Sequence, residues 1–231
     1  MLQLYYARPS AYARPVWLAL LEKQLPFALI PVDLSGEQFE PEFLAINPFS
    51  HVPVLVDDGF KVIESLAILD YLEAQYPERS LLPADAIALA RVRMVQQVTL
   101  NELLPALFKL LMAATEKPGE LEYAQLRAVN TLNFLEDLLG ESPYFAGAQL
   151  TLAEIVAGTL VYRMPAVGIP LTNHPRLQHW SERLLARPSW QEIELSSEEW
   201  DTFKRRMRVI PKIWQRRRQQ RIQALAPSPA S

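Results

Sequence analysis

Residues Val52 to Tyr76 commit the chain to a sheet that runs straight into a helix. Val54–Val56 and Phe60–Ile63 are short apolar runs on either side of Asp58-Gly59. An Asp-Gly step between such runs predicts a hairpin, because both residues tolerate the left-handed backbone of a tight turn. At Ser65 the period changes: Leu66, Ile68, Leu69 and Leu72 share one broad face of a helix extending to Tyr76. Upstream, Gln3–Tyr6 is a short β-rich run, and Ala13–Lys23 has helical periodicity with Pro15 in the first turn, where a missing N–H does no harm. Phe27–Leu34 reads as a second strand, followed by a polar loop over Ser35–Gln38.

The character then changes. Pro77 to Pro83 is a linker with a proline at each end, and no strand pattern follows it. Ala84–Thr115 is one long helical pattern and Tyr123–Leu139 another. Thr151-Leu152-Ala153-Glu154 is a capping box opening a third helix, hydroxyl and carboxylate each taking a free N–H. His174–Ala186 gives a fourth, which stops before Pro188. Strands first and helices second predict an α+β domain followed by an all-α domain. The expected boundaries are 1–77, a linker at 78–83, the helical domain at 84–195 and a basic extension at 196–231. Within the extension Trp200, Phe203, Met207 and Ile210 recur at helical spacing, and the terminal Ala-Pro-Ser-Pro-Ala-Ser is expected to be disordered.

Half of the 231 residues are apolar, enough for a large core without staples. The chain has no cysteine, which excludes disulfides, thiolate metal sites and a cysteine nucleophile of its own. His51, His174 and His179 are too scattered for a metal site. No apolar stretch reaches the ~18 residues of a membrane span, and the start has no basic, leader-like segment. A cytoplasmic protein is expected. Charge is uneven: residues 201–231 carry nine Lys/Arg against Asp201, a net +8, while residues 1–200 carry fourteen against twenty-five acids, a net −11. So acidic a body disfavours nucleic acid and anionic membranes as partners, and predicts a tail that docks on the body or is simply solvated.

Three segments together resemble the cytosolic glutathione transferases: LYYARPSAYARPVWLALLEKQLPF, NPFSHVPVLVDDGFKVIES and YFAGAQLTLAEI. The resemblance spans roughly residues 1–190. It implies a thioredoxin-like domain followed by a helical domain, a homodimer, glutathione as co-substrate and no further cofactor. Pro53 corresponds to the family's cis-proline, which would turn the Val52 N–H and C=O toward the cysteinyl backbone of the tripeptide. Glu64 would meet the γ-glutamyl ammonium. Ser65, at a helix N-terminus that favours anions, would meet its carboxylate. His51 and Gln38 fall where relatives contact the glycine carboxylate. Phe49 lies where some relatives insert an aromatic into a partner subunit, with core packing as the other reading.

Catalysis in such an enzyme means raising the thiolate fraction of glutathione, whose free thiol titrates near ~8.5. The resemblance places Ser10 at the catalytic serine of serine-type members, in the loop before a helix. Tyr6 stands where tyrosine-type members keep their phenol. Arg8 is a third candidate, acting by charge, and Arg14 is expected to serve structure near the domain joint. Tyr12 and Leu107 are candidates for the electrophile site, with Leu103, Met112 and Tyr162 as further possible wall residues. The expected activity is conjugation of glutathione to small hydrophobic electrophiles, with peroxide reduction as a side activity. Two alternatives are a glutathione-dependent isomerase or dehalogenase, and a non-enzymatic binding or scaffold protein with the same fold.

Overall fold

The computed structural model describes residues 1–113, 116–207, 209–210, 213–217 and 219. Four strands, β1 (Leu2–Tyr6), β2 (Phe27–Pro31), β3 (Val54–Asp57) and β4 (Phe60–Ile63), form one sheet in the order β2-β1-β3-β4. β1 and β2 are parallel, joined by helix α1 (Ala13–Glu22); β3 runs antiparallel to both β1 and β4. The expected hairpin forms with Asp58 at φ 45° and Gly59 at φ 90°, the pair of left-handed residues that closes a two-residue turn with the right twist. β2 stops at Pro31, short of the expected Leu34. Pro31 has no N–H for a ladder, and the chain turns at Asp33, whose carboxylate accepts from Ser35 N–H at 3.0 Å.

Alternation gives the sheet two apolar faces. Leu2, Leu4 and Leu55 point toward α1 and α3 (Ser65–Gln75). Val54 points to the other face, packed with Ala7, Val32, Val52 and Phe43 of the short α2 (Pro41–Leu44). The larger cluster continues without a break into the helical part, through Val92, Leu104, Leu132, Ile155 and Trp180.

The long helix expected over 84–115 is interrupted. α4 (Ala86–Val98) widens into a π segment, Thr99–Leu103, before α5 (Leu104–Leu111). Pro105 explains it: its ring would meet the Asn101 carbonyl of a regular helix, so the Leu104 N–H reaches back to Thr99 O instead. α6 (Pro118–Leu139) begins before Tyr123, again with proline in the first turn. α7 (Leu152–Val161) opens with the Thr151–Glu154 capping box, and α8 spans Pro175–Leu185. Pro188, read from sequence as a stop, instead occupies the first turn of a further short helix, α9 (Pro188–Ile193).

Ion pairs tie the two parts together. Lys23 Nζ, buried after α1, meets Glu73 Oε1 at 2.8 Å and Arg79 O at 3.0 Å. Glu73 also accepts from Ser80 Oγ and Leu81 N, which pins the linker. The Arg187 guanidinium grips Glu22 with two bonds, of 2.6 and 3.0 Å. Arg14 is buried, as its structural assignment predicted: it donates to Tyr162 Oη at 2.7 Å, and Tyr162 in turn donates to Glu194 Oε2 at 2.6 Å.

Helix α10 (Ser197–Met207) returns to the sheet domain. Glu199 in its first turn pairs with Arg8 at 2.8 Å. Beyond it, Arg206 approaches Asp33 at 3.8 Å, Trp214 Nε1 donates to Leu34 O at 3.0 Å, and Arg217 approaches Glu40 at 3.9 Å. The tail thus docks on acidic groups of its own body. Arg218, Arg221 and the terminal Ala-Pro-Ser-Pro-Ala-Ser lie outside the described residues.

Candidate active site

β1, β2 and β4 all end at the same edge of the sheet where β3 begins, and a cavity of about 830 Å³ opens there. Its floor comes from the loops that leave those strands: Tyr6–Tyr12 after β1, Val32–Leu34 after β2, Ser50–Pro53 before β3, and Glu64–Ser65 after β4. Phe108 of α5 and Phe203, Arg206, Met207, Ile210 and Trp214 from the C-terminal segment form the opposite wall.

Ser10 starts α1 in two ways. Its carbonyl accepts from Ala13 N (3.2 Å) and Arg14 N (3.1 Å), and its Oγ accepts from Ala13 N at 3.2 Å. The hydroxyl proton donates to no described residue, so it is available to an anion beside the helix N-terminus. Tyr6 also lines the cavity, but its ring packs edge-on against Trp17 at 5.2 Å. Arg8 is engaged elsewhere: besides Glu199 it holds Glu194 O at 3.0 Å, and its guanidinium lies 5.3 Å from the centre of the Trp17 ring. Glu199 neutralises the charge that Arg8 would bring to a thiolate.

Across the cavity the Val52–Pro53 peptide is cis. Asn47, fully buried, braces the loop before it, donating to His51 O at 2.8 Å and accepting from Phe49 N at 3.0 Å. His51, Val52 and Pro53 all line the cavity. Phe49, in the same loop, is 62% exposed, so core packing is not its role. Glu64 adopts φ 70° and ψ 121°, a strained conformation for a residue with a Cβ. No described cation pairs with its carboxylate, and no side chain caps the α3 N-terminus that follows. The Tyr12 hydroxyl is pushed up by burial and by the nearby Glu64 charge, so it stays a neutral donor at the cavity wall.

Several expected residues are not brought to this cavity. Gln38 is buried and turned inward, its amide donating to Leu34 O at 2.9 Å. Leu107 is buried against a separate small void with Leu104 and Leu111, and it is the adjacent Phe108 that faces the cavity. Leu103 and Met112 do not line it either. Tyr162 belongs to the Arg14–Glu194 network, its hydroxyl pushed up to about 12 by burial above all. Sequence alone does not assign the C-terminal wall to a site; its signal is the helical spacing of Phe203, Met207 and Ile210, three residues that line the cavity.

Comparison with known proteins agrees with this layout. Residues 4–80 match a model described as glutathione S-transferase, N-terminal domain, and residues 113–183 match the C-terminal domain of the same name. The chain is 30% identical over 191 residues to maleylacetoacetate isomerase of Rattus norvegicus, an alignment covering 80% of this chain and 88% of that one. Among solved structures it is similar to a delta-class glutathione transferase of Nilaparvata lugens (TM-score 0.78, 28% identity, 91% of this chain and 100% of that one). It is also similar to a glutathione S-transferase of Methylobacterium radiotolerans in complex with glutathione sulfonate (TM-score 0.73, 30% identity, 83% and 93%).

Proposed function

The chain belongs to the glutathione S-transferase family, and from that premise we propose that it is a glutathione transferase acting on small apolar electrophiles. Glutathione lies across the sheet edge, its cysteinyl backbone against Val52 and its γ-glutamyl end between Glu64 and the α3 N-terminus. The sulfur rests near Ser10. One observation carries the reading: the Ser10 Oγ accepts from the Ala13 N–H while keeping its own proton, in the same cavity as cis-Pro53 and Glu64-Ser65. A hydroxyl polarised by that N–H is a better donor to sulfur, and the thiolate it stabilises is the nucleophile. Phe108, Phe203, Met207 and Trp214 give an electrophile an apolar surface facing that sulfur.

Isomerisation is a second reading, favoured by the alignment with the rat maleylacetoacetate isomerase. There the thiolate adds to a conjugated cis double bond, the resulting single bond rotates, and expulsion of the thiolate restores the alkene and the glutathione. Peroxide reduction would use the same thiolate. A homodimer seated through the exposed Phe49 belongs to the same proposal, and sedimentation of Phe49→Ala as a dimer like the native chain would rule that contact out.

The test of function is a calorimetric titration with glutathione, followed by ultraviolet thiolate absorbance of the complex across pH. Binding with the thiol titrating at least ~1 unit below its free value of ~8.5 is expected. No binding would refute the reading. Binding without a lowered titration and without turnover of aromatic halides, isothiocyanates or peroxides would leave a glutathione-binding scaffold.

A further inference from the structure

We infer that Arg206, from the C-terminal extension, is the residue that receives the glycine carboxylate of glutathione. This rests on the glutathione reading above and names, from the C-terminal segment, the residue that holds the glycine end in this chain.

Placement comes from the order of strand ends. With the sheet running β2-β1-β3-β4, the cavity floor presents, in sequence across its width, Glu64-Ser65 at β4, Val52-Pro53 at β3, Ala7 at β1 and Asp33-Leu34 at β2. Adjacent strands lie ~4.8 Å apart, so β4 and β2 are separated by ~14 Å. An extended tripeptide spans roughly 10–11 Å at ~3.5 Å per residue. Anchored at Glu64-Ser65 and passing Val52, its far end points at the β1–β2 side, where Asp33 and Arg206 stand.

A carboxylate arriving there needs a cation. Gln38, the neutral donor expected from sequence, is buried and bonded to Leu34 O. His51 lines the cavity on the β3 side, and Arg8 is held by Glu199 and the Glu194 carbonyl. Arg206 is the remaining arginine of the described lining. It is loosely held: its side chain is 59% exposed, and Asp33 Oδ1 stands 3.8 Å from its Nη1, beyond hydrogen-bond distance. That same Oδ1 already accepts from Ser35 N at 3.0 Å. A guanidinium has five donors, so Arg206 can screen Asp33 and still clamp an incoming carboxylate. Glu199 on Arg8 before it, and Trp214 Nε1 on Leu34 O with Arg217 beside Glu40 after it, hold the segment here, so its position does not depend on Arg206 alone.

The experiment titrates native protein, Arg206→Leu and Asp33→Asn with glutathione and with γ-glutamylcysteine, which lacks the glycine, by calorimetry. Expected are a loss of about ten-fold in glutathione affinity for Arg206→Leu, the scale of one charge-assisted bond at a half-open site, and no change for γ-glutamylcysteine. Asp33→Asn should tighten glutathione by removing a like charge. Equal weakening of both peptides in Arg206→Leu would show that Arg206 only docks the tail and would overturn the assignment. So would an unchanged glutathione affinity, or a loss in Asp33→Asn matching that in Arg206→Leu. Native protein that binds neither peptide would instead refute the glutathione reading itself.

Discussion

Exchanging Ser10 for Ala removes one oxygen from the cavity and disturbs the surrounding backbone little. Ala13 N–H loses the Oγ acceptor at 3.2 Å but keeps the Ser10 carbonyl, also at 3.2 Å, and Arg14 N–H keeps the same carbonyl at 3.1 Å. The start of α1 therefore survives, at a stability loss of about 0.5–1 kcal/mol. The effect on sulfur is larger. A hydrogen bond to a charged group contributes ~1.5–3 kcal/mol, or ~1–2 pKa units at ~1.4 kcal/mol per unit. The thiol of bound glutathione in Ser10→Ala should therefore titrate ~1–2 units higher than in the native complex. At neutral pH the conjugation rate should fall ~10–100-fold, with most of the loss recovered at alkaline pH, where the thiolate forms unaided. Thiolate absorbance and the pH–rate profile, measured on native, Ser10→Ala and Tyr6→Phe proteins, read the two quantities independently. The serine assignment fails if the Ser10→Ala titration overlays the native one. A shift in Tyr6→Phe instead would move the donor to Tyr6, against its packing on Trp17.

Three further outcomes can be checked. Glu73→Ala leaves the buried Lys23 ammonium with Arg79 O as its remaining partner, which should cost about 3–5 kcal/mol and lower the melting temperature by roughly 6–20 °C; an unchanged melt would mean the pair is hydrated, and Lys23→Met with Glu73→Leu should restore most of the loss. Burial alone would push the Glu136 carboxyl up, but N–H bonds from Leu177 and Arg176 and the Arg176 charge more than offset it, so it lies below its ordinary 4.5. Its contribution is thus present above pH 4.5 and disappears as pH falls through the lowered value, so acid melts of Glu136→Gln should lose part of the slope seen in the native protein below that pH; parallel curves would contradict this. Phe203→Ala should raise the KM for an apolar electrophile about ten-fold, the value of losing part of an aromatic wall, and affect glutathione less; equal effects on both would mean the wall is not selective.

How much of this could be read from the sequence depended on how local each signal was. The Asp58-Gly59 hairpin and the Thr151–Glu154 box are short-range chemistry, where a few residues determine their own backbone, and both appear as expected. Breaks inside long periodic stretches were harder. Periodicity is insensitive to a single π widening, so it carries one helix straight through Pro105, and Pro188 predicts an end although proline suits a first turn equally well. Neighbouring helical positions point ~100° apart, so an apolar run including both Leu107 and Phe108 does not reveal which one faces a cavity. Gln38 illustrates a different limit: an amide in a polar loop looks exposed until the Leu34 carbonyl is seen beside it. The C-terminal wall is non-local altogether. Its helical stripe was legible, but its seat on Asp33, Leu34 and Glu40 depends on contacts some 170 residues apart in sequence.

That separation has a consequence for synthesis. Domains fold as they emerge, N-terminal first, at ~5–20 residues per second. The strand edge, finished by Ser65, is out of the ribosome on the order of ten seconds before α10 is made. In that interval a nascent chain presents an open strand edge roofed by Phe108 without the C-terminal side chains, and Asp33 lacks Arg206 beside it. Translation that stops before Ser197 would yield a protein whose cavity keeps its floor and Phe108 but lacks the rest of the opposite wall, so the cavity is completed only by the C-terminal stretch of chain.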